Sequence, residues 1–144
     1  MLKVSELHKN FDDHIIYNGF NLDINKGEIF ALIGPNGIGK TSLIRMILGL
    51  DRDYLGNIDY NGFKIGYSPE TPSFPEILTA MEFLELIKNA HGTSDDLEDL
   101  MRKVGLDPAN KTKLSKYSKG MIQRLAVAQS LIGNPDIILL DEPS

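Results

Sequence analysis

The chain of 144 residues contains no cysteine. Disulfides and thiolate metal sites are therefore excluded, a condition that fits a reducing compartment. Its histidines, His8, His14 and His91, share no metal-ligand spacing and read as surface residues. No apolar run approaches the length of a membrane span. The N-terminus, Met1-Leu2-Lys3-Val4-Ser5-Glu6, lacks the apolar core of a signal peptide. Any membrane association is thus expected to come through a partner. Positive charge is not in excess either. A net charge of −5 argues against non-specific nucleic-acid binding through a broad basic field. Internal repeats and low-complexity segments are absent. The length suits one domain or slightly less, and an apolar content of 42% is enough for a core.

What the chain does have is Gly34-Pro35-Asn36-Gly37-Ile38-Gly39-Lys40-Thr41-Ser42, which fits the phosphate-binding pattern G-x-x-x-x-G-K-[ST]. The apolar run from Glu28 to Ile33 reads as a buried strand before it. Leu43, Ile44, Ile47 and Leu48 stand at helical spacing after it, with Gly49 as the C-terminal cap. A strand–loop–helix setting is what the pattern requires. The glycines let backbone N–H groups converge on one point, and the helix adds its dipole there. Lys40 supplies a compact charge for the β- and γ-phosphates, and the Thr41 hydroxyl can bind Mg²⁺. The competing reading is a Gly-rich turn that only matches in letters.

Around this loop the N-terminal part reads as β-rich. Leu2 to Leu7 is a candidate edge strand, and Asp12-Asp13-His14 turns the chain into Ile15-Ile16-Tyr17. Asn18-Gly19 is a hairpin signal. Phe20, Leu22 and Ile24 then alternate with polar residues as in a half-buried strand. Gly56 to Tyr67, with Asn61-Gly62 inside it, reads as another short hairpin. Pro69, Pro72 and Pro75 mark a loop. Thr79-x-x-Glu82 is a capping box opening a helix that ends at His91-Gly92. Ser94 is a candidate cap for a second helix, carrying Leu97, Leu100, Met101 and Val104 and closed by Gly105. A third helix follows Tyr117 to Gly120, with Met121, Leu125, Ala128, Leu131 and Ile132 on its apolar side, and Gly133-Asn134-Pro135 ends it.

Ile137-Ile138-Leu139-Leu140-Asp141-Glu142 is a Walker B pattern. A strand buried on both faces would deliver Asp141 to the Mg²⁺ shell, and Glu142 would polarise an attacking water as general base. Taken alone, the same letters also describe a core strand ending in a solvated acidic turn.

Between these motifs lies Tyr117-Ser118-Lys119-Gly120-Met121, followed by Gln123-Arg124. Here the chain resembles the ATP-binding cassette (ABC) ATPases, whose signature loop, commonly Leu-Ser-Gly-Gly-Gln, precedes a helix just upstream of Walker B. Ser118 and Gly120 match, whereas Tyr117, Lys119 and Met121 depart. The resemblance implies an α/β fold of the P-loop NTPase, ABC type: a β-rich N-terminal subdomain, a mixed core sheet with the phosphate-loop helix, and a helical insert. Residues 1–144 would form a single, incomplete domain, with 1–67 and 114–144 as core and about 68–113 as the helical subdomain.

It further implies ATP and Mg²⁺ as cofactors, with residues 34–42 on the nucleotide, Thr41 and Asp141 on the metal, and Glu142 as catalytic base. Ser118, Lys119, Gly120 and Met121 would face the γ-phosphate held by a second subunit; an ordinary helix cap by Ser118 is the alternative. Phe11 matches the aromatic that stacks on adenine, with a plain core phenylalanine as its rival. Glu70, in Tyr67-Ser68-Pro69-Glu70, stands where the family usually has glutamine, and a solvated loop acid is its rival. Lys111, Lys113, Lys116 and Lys119 form a basic run beside the signature loop that reads as a solvated face, with attraction to a neighbouring nucleotide as the alternative.

The expected function is ATP hydrolysis by the ATPase subunit of an ABC transporter. Lys119-Gly120-Met121 with Gln123-Arg124, and Leu78-Thr79-Ala80-Met81-Glu82, look most like the exporter branch handling lantibiotics, bacitracin and other drugs. Expected partners are a second such subunit, a homodimer being the simplest case, and a membrane-spanning permease. The location would be cytoplasmic, peripheral on the inner face of the cell membrane. The alternatives are a soluble ABC ATPase outside transport and a nucleotide-binding module without turnover. In the family, a D-loop, a further strand and a switch histidine follow Walker B. That strand lies between the phosphate-loop and Walker B strands. Residues 1–144 alone are therefore expected to fold poorly, because buried backbone would lack its ladder.

Overall fold

The structure is a computed structural model that describes residues 1–35 and 39–141. It divides into two compact units, Met1–Lys64 and Ile65–Ser144.

The first unit is built on a three-stranded antiparallel sheet in the order β2-β1-β3, with β1 spanning Leu2–Phe11, β2 His14–Ile24 and β3 Leu55–Asp59. Leu2, Val4 and Leu7 of β1 are fully buried. β1 is thus the central strand and not the expected edge, because β3 returns along its second side. The β1–β2 turn falls at Asp12-Asp13, while the expected hairpin turn at Asn18-Gly19 lies inside β2. The pairing shifts there, from Leu7↔Phe20 to His8↔Asn18, and Gly19 takes a φ of 70°. A turn-forming dipeptide has become a bulge, which needs the same positive φ.

The single helix among the described residues of this unit, α1, runs Lys40–Ile47 and buries Leu43, Met46 and Ile47. It ends as expected around Gly49: the N–H of Gly49 donates to Met46 O and that of Leu50 to Arg45 O, a Schellman closure. Buried Lys9 ties the sheet to the segment after α1, donating to the Asp51 carboxylate and to Asp53 O at 2.6 Å. Burial alone would lower its pKa, but the Asp51 and Asp53 carboxylates outweigh this and hold the ammonium above the ordinary lysine range.

The expected buried strand over residues 28–33 is not formed. Ile29 is 100% exposed and Ile33 87% exposed. β1, β2 and β3 pair with one another, and no described strand runs beside this segment to supply a ladder.

The second unit contains a two-stranded parallel sheet of β4, Ile65–Ser68, and β5, Ile137–Leu140, in the register Ile65↔Ile137 to Ser68↔Leu140. β4 therefore does not form the expected hairpin with β3; Asn61-Gly62 makes its turn, and the two strands join different sheets. Burial alternates along β5, with Ile138 and Leu140 exposed, so the run is not covered on both faces among the described residues.

Among the described residues three α-helices complete this unit, with a short 3-10 turn at Leu114–Lys116: α2, Ala80–His91; α3, Leu97–Lys103; and α4, Lys119–Ser130. α2 carries the expected capping box in full, with Thr79 Oγ1 accepting from Glu82 N at 3.2 Å and Glu82 Oε2 from Thr79 N at 2.7 Å. α3 is capped by Asp96, whose Oδ1 accepts from Asp99 N, and not by Ser94. Asp96 sits directly before the first buried apolar residue, Leu97, where an N-cap belongs. The helices share one core that includes Phe83, Leu84, Leu100, Met101, Leu114 and Leu125, with Phe74 stacked on Phe83 at 4.5 Å between ring centres. α4 lies against β4 so closely that a Cβ on Gly66 would fall within the Ser130 carbonyl oxygen.

Candidate functional site

The phosphate-loop residues belong to the first unit. Gly34 and Pro35 precede α1, Gly39 is its N-cap, and Lys40, Thr41 and Ser42 form its first turn. Asn36, Gly37 and Ile38 lie outside the described residues. Gly39 has φ 100°, a conformation that side chains avoid. Among the described residues no side chain caps α1, and no acid stands in its first turn. The first intrahelical bond is Leu43 N–H to Gly39 O at 2.9 Å. The N–H groups of Lys40, Thr41 and Ser42 thus have no intrahelical acceptor, and together they form an anion-attracting helix start. Lys40 Nζ donates to the Gly34 carbonyl and so bends back over the loop that it ends.

Sequence reasoning passed over one residue of this site. Tyr17, read only as part of a strand, donates its hydroxyl to Gly39 O at 2.9 Å. Its ring packs on Phe20 at 4.9 Å. Ile16 lies so close that a Cβ on Gly39 would fall inside the Ile16 methyl carbon, and it would also stand 3.1 Å from Tyr17 Cε2. Burial pushes the Tyr17 hydroxyl pKa up, so it stays a donor at neutral pH. Phe11 ends β1 beside the hairpin turn and is 67% exposed.

The other candidates belong to the second unit. Asp141 follows β5 and is 7% exposed; its N–H donates to Ser68 O at 3.0 Å, extending the β4–β5 ladder. Glu142 lies outside the described residues. Ser118 is the N-cap of α4, its Oγ accepting from Met121 N at 3.2 Å. Ser118, Lys119 and Gly120 are exposed, and a Cβ on Gly120 would meet nothing within 4 Å, so this helix start faces open space. Glu70 is exposed, and its carbonyl accepts Gln123 Nε2 at 2.7 Å. Further along the same helix, Gln129 Nε2 donates to Tyr67 O at 2.5 Å. Two amides of α4 therefore hold residues 67–70 by their backbone, whatever residue 70 carries. Polar residues on the buried side of α4 were the signal for this: Gln123 is 9% exposed among Leu125, Ala126 and Ala128.

No group of acidic or histidine side chains among the described residues could hold a metal ion by itself. Among them, too, no helix is long and apolar enough to cross a membrane.

The family model described as "ABC transporter" matches residues 17–144. The lantibiotic transport ATP-binding protein SrtF of Streptococcus pyogenes is 36% identical over 153 residues, a match covering 100% of this chain and 67% of SrtF. The ABC transporter ATP-binding protein YdbJ of Bacillus subtilis, itself uncharacterised, is 36% identical, with 100% of this chain and 51% of YdbJ covered. The zinc import ATP-binding protein ZnuC of Rickettsia conorii is 33% identical, with 99% and 62% covered. Among solved structures, an ATP-binding subunit of an ABC transporter superposes with a TM-score of 0.88 at 30% identity, covering 99% of this chain and 66% of that one. The chain spans between about half and two thirds of the length of these curated relatives.

Proposed function

The chain belongs to the ABC transporter family, and on that premise we propose that its whole protein binds and hydrolyses ATP as the ATPase subunit of a transporter. The observation that carries this reading is the start of α1. It has a left-handed Gly39, three N–H donors without an intrahelical acceptor, no side-chain cap among the described residues, and Lys40 bent over the loop. An ATP phosphate chain supplies the anion such a start attracts, and Lys40 Nζ would leave the Gly34 carbonyl for the β- and γ-phosphates. Mg²⁺ would take the Thr41 hydroxyl and Asp141 as protein ligands, and it would neutralise charge developing on the phosphates. Phe11 would stack on adenine. Glu142 would act as general base on the attacking water.

Two cassettes would pair head to tail. Each nucleotide would then meet the Ser118–Met121 helix start of the other subunit, whose exposure around Gly120 suits a partner surface. Residues 68–113 would act as the helical subdomain, passing closure to a membrane-spanning permease. Glu70 would serve through its backbone, which Gln123 holds. We place the transporter on the export side, from the resemblance around Lys119-Gly120-Met121 and the likeness to a lantibiotic transport protein. The likeness to zinc import proteins favours import as the second reading. Efflux or uptake by vesicles carrying the reconstituted transporter decides between them.

The enzymatic reading is tested with Glu142→Gln in the whole protein. ATP binding should persist while phosphate release falls at least about 100-fold, with the variant arrested as a closed dimer. Undiminished turnover removes Glu142 as the base.

A further inference from the structure

Tyr17 makes a contact that neither the phosphate-loop pattern nor the family likeness assigns. Its hydroxyl donates to Gly39 O at 2.9 Å, on the same carbonyl oxygen that accepts Leu43 N–H at 2.9 Å. A carbonyl oxygen has two lone pairs, so both are occupied. The peptide joining Gly39 to Lys40 is planar and trans, so its N–H points opposite to its C=O. Fixing the carbonyl on β2 therefore fixes the direction of the Lys40 N–H, the first of the three α1 donors without an intrahelical acceptor. Gly39 is the residue least able to hold that peptide by itself, because glycine has no side chain to restrict it. The closeness of Ile16 to Gly39 presses β2 directly against this turn, and the Tyr17 ring is itself seated on Phe20.

We propose that Tyr17 is a positioning residue for phosphate binding: through Gly39 it aims the Lys40 N–H at the nucleotide's phosphate chain. The inference rests on the nucleotide-binding reading of this site. It makes a prediction that general packing does not. Removing the hydroxyl alone should weaken ligands in proportion to their use of the phosphate cradle, and it should leave contacts to the nucleoside untouched.

The test compares the full chain with Tyr17→Phe, which keeps the ring. Calorimetric titration with ATP and with AMP should show ATP weakened about three- to tenfold, the loss expected for one hydrogen bond, with AMP unchanged within about twofold. In the nucleotide-free proteins, amide exchange at Leu43 should be about three- to tenfold faster in the variant, because its acceptor is loosened. Equal weakening of ATP and AMP overturns the proposal, since the hydroxyl would then act only through general packing. Unchanged ATP affinity overturns it as well. Should the wild-type chain bind no ATP, the nucleotide reading fails by itself. The exchange rate at Leu43 then decides: unchanged exchange overturns the Tyr17 contact, and faster exchange sustains its positioning of the Gly39 peptide.

Discussion

Helices α1 and α2 end alike, on left-handed glycines Gly49 and Gly92, but they begin in opposite ways. α2 closes its own start. Thr79 and Glu82 satisfy each other's backbone N–H groups, and Lys113 Nζ adds an ion pair to Glu82 at 3.3 Å. α1 begins at a glycine with no side chain to accept anything. Beside that start, the Tyr17 hydroxyl holds the Gly39 carbonyl and Lys40 Nζ donates to the Gly34 carbonyl. On the proposed function, the contrast separates a helix start built for stability from one that would receive a ligand. The first uses its donors locally, whereas the second lacks the side-chain cap of its N-cap residue, worth about 1 kcal/mol, and would keep its donors for an anion.

The comparison breaks most completely at Gly39. A methyl group there meets Ile16 and Tyr17 and must also hold φ 100°. Gly39→Ala should therefore cost roughly 2–5 kcal/mol in urea unfolding and abolish ATP binding. The same Gly→Ala change at Gly120, where a Cβ meets nothing, should cost far less. At α2 the effect is smaller and purely structural. Thr79→Ala should cost about 1 kcal/mol in the same measurement and leave ATP affinity unchanged.

That start also carries a pH signature. The backbone N–H of Thr79, and then Lys113, hold the Glu82 carboxyl below the ordinary glutamate range. A folded pKa depressed in this way contributes stability that is present above the unfolded value of about 4.3 and is lost as pH falls through the folded value. The destabilisation by Glu82→Gln, measured against pH, should accordingly be largest near neutrality and fade below about pH 4.

What could be read in advance follows from how local each feature is. The Thr79–Glu82 box, the Gly49 and Gly92 closures and the α4 cap at Ser118 depend on residues within one helical turn, and each was legible. Strand pairing was not. Residues 28–33 and Ile137–Leu140 are equally apolar, yet only the latter becomes a strand, because β4 lies alongside it. An apolar run states that a segment wants burial, and only a neighbour decides that it gets a ladder. Asn18-Gly19 was misleading for a related reason: a bulge and a tight turn ask for the same residue types. Of the site, the pattern exposed Gly34, Gly39 and Lys40. Tyr17 was hidden because its part depends on a strand residue 22 positions before Gly39. The acceptors of Gln123 and Gln129 were hidden because they are backbone atoms far off in sequence, Glu70 O just past β4 and Tyr67 O near its end.

The central claim is that the open start of α1, completed by Lys40, is a nucleotide phosphate site. It is tested most directly by calorimetric titration of the full chain and of Lys40→Ala with ATP and AMP. The account predicts that the wild type binds ATP more tightly than AMP, and that Lys40→Ala weakens ATP at least about 50-fold while leaving AMP nearly unchanged. ATP binding that survives Lys40→Ala undiminished, or a wild type that does not prefer ATP to AMP, would contradict it.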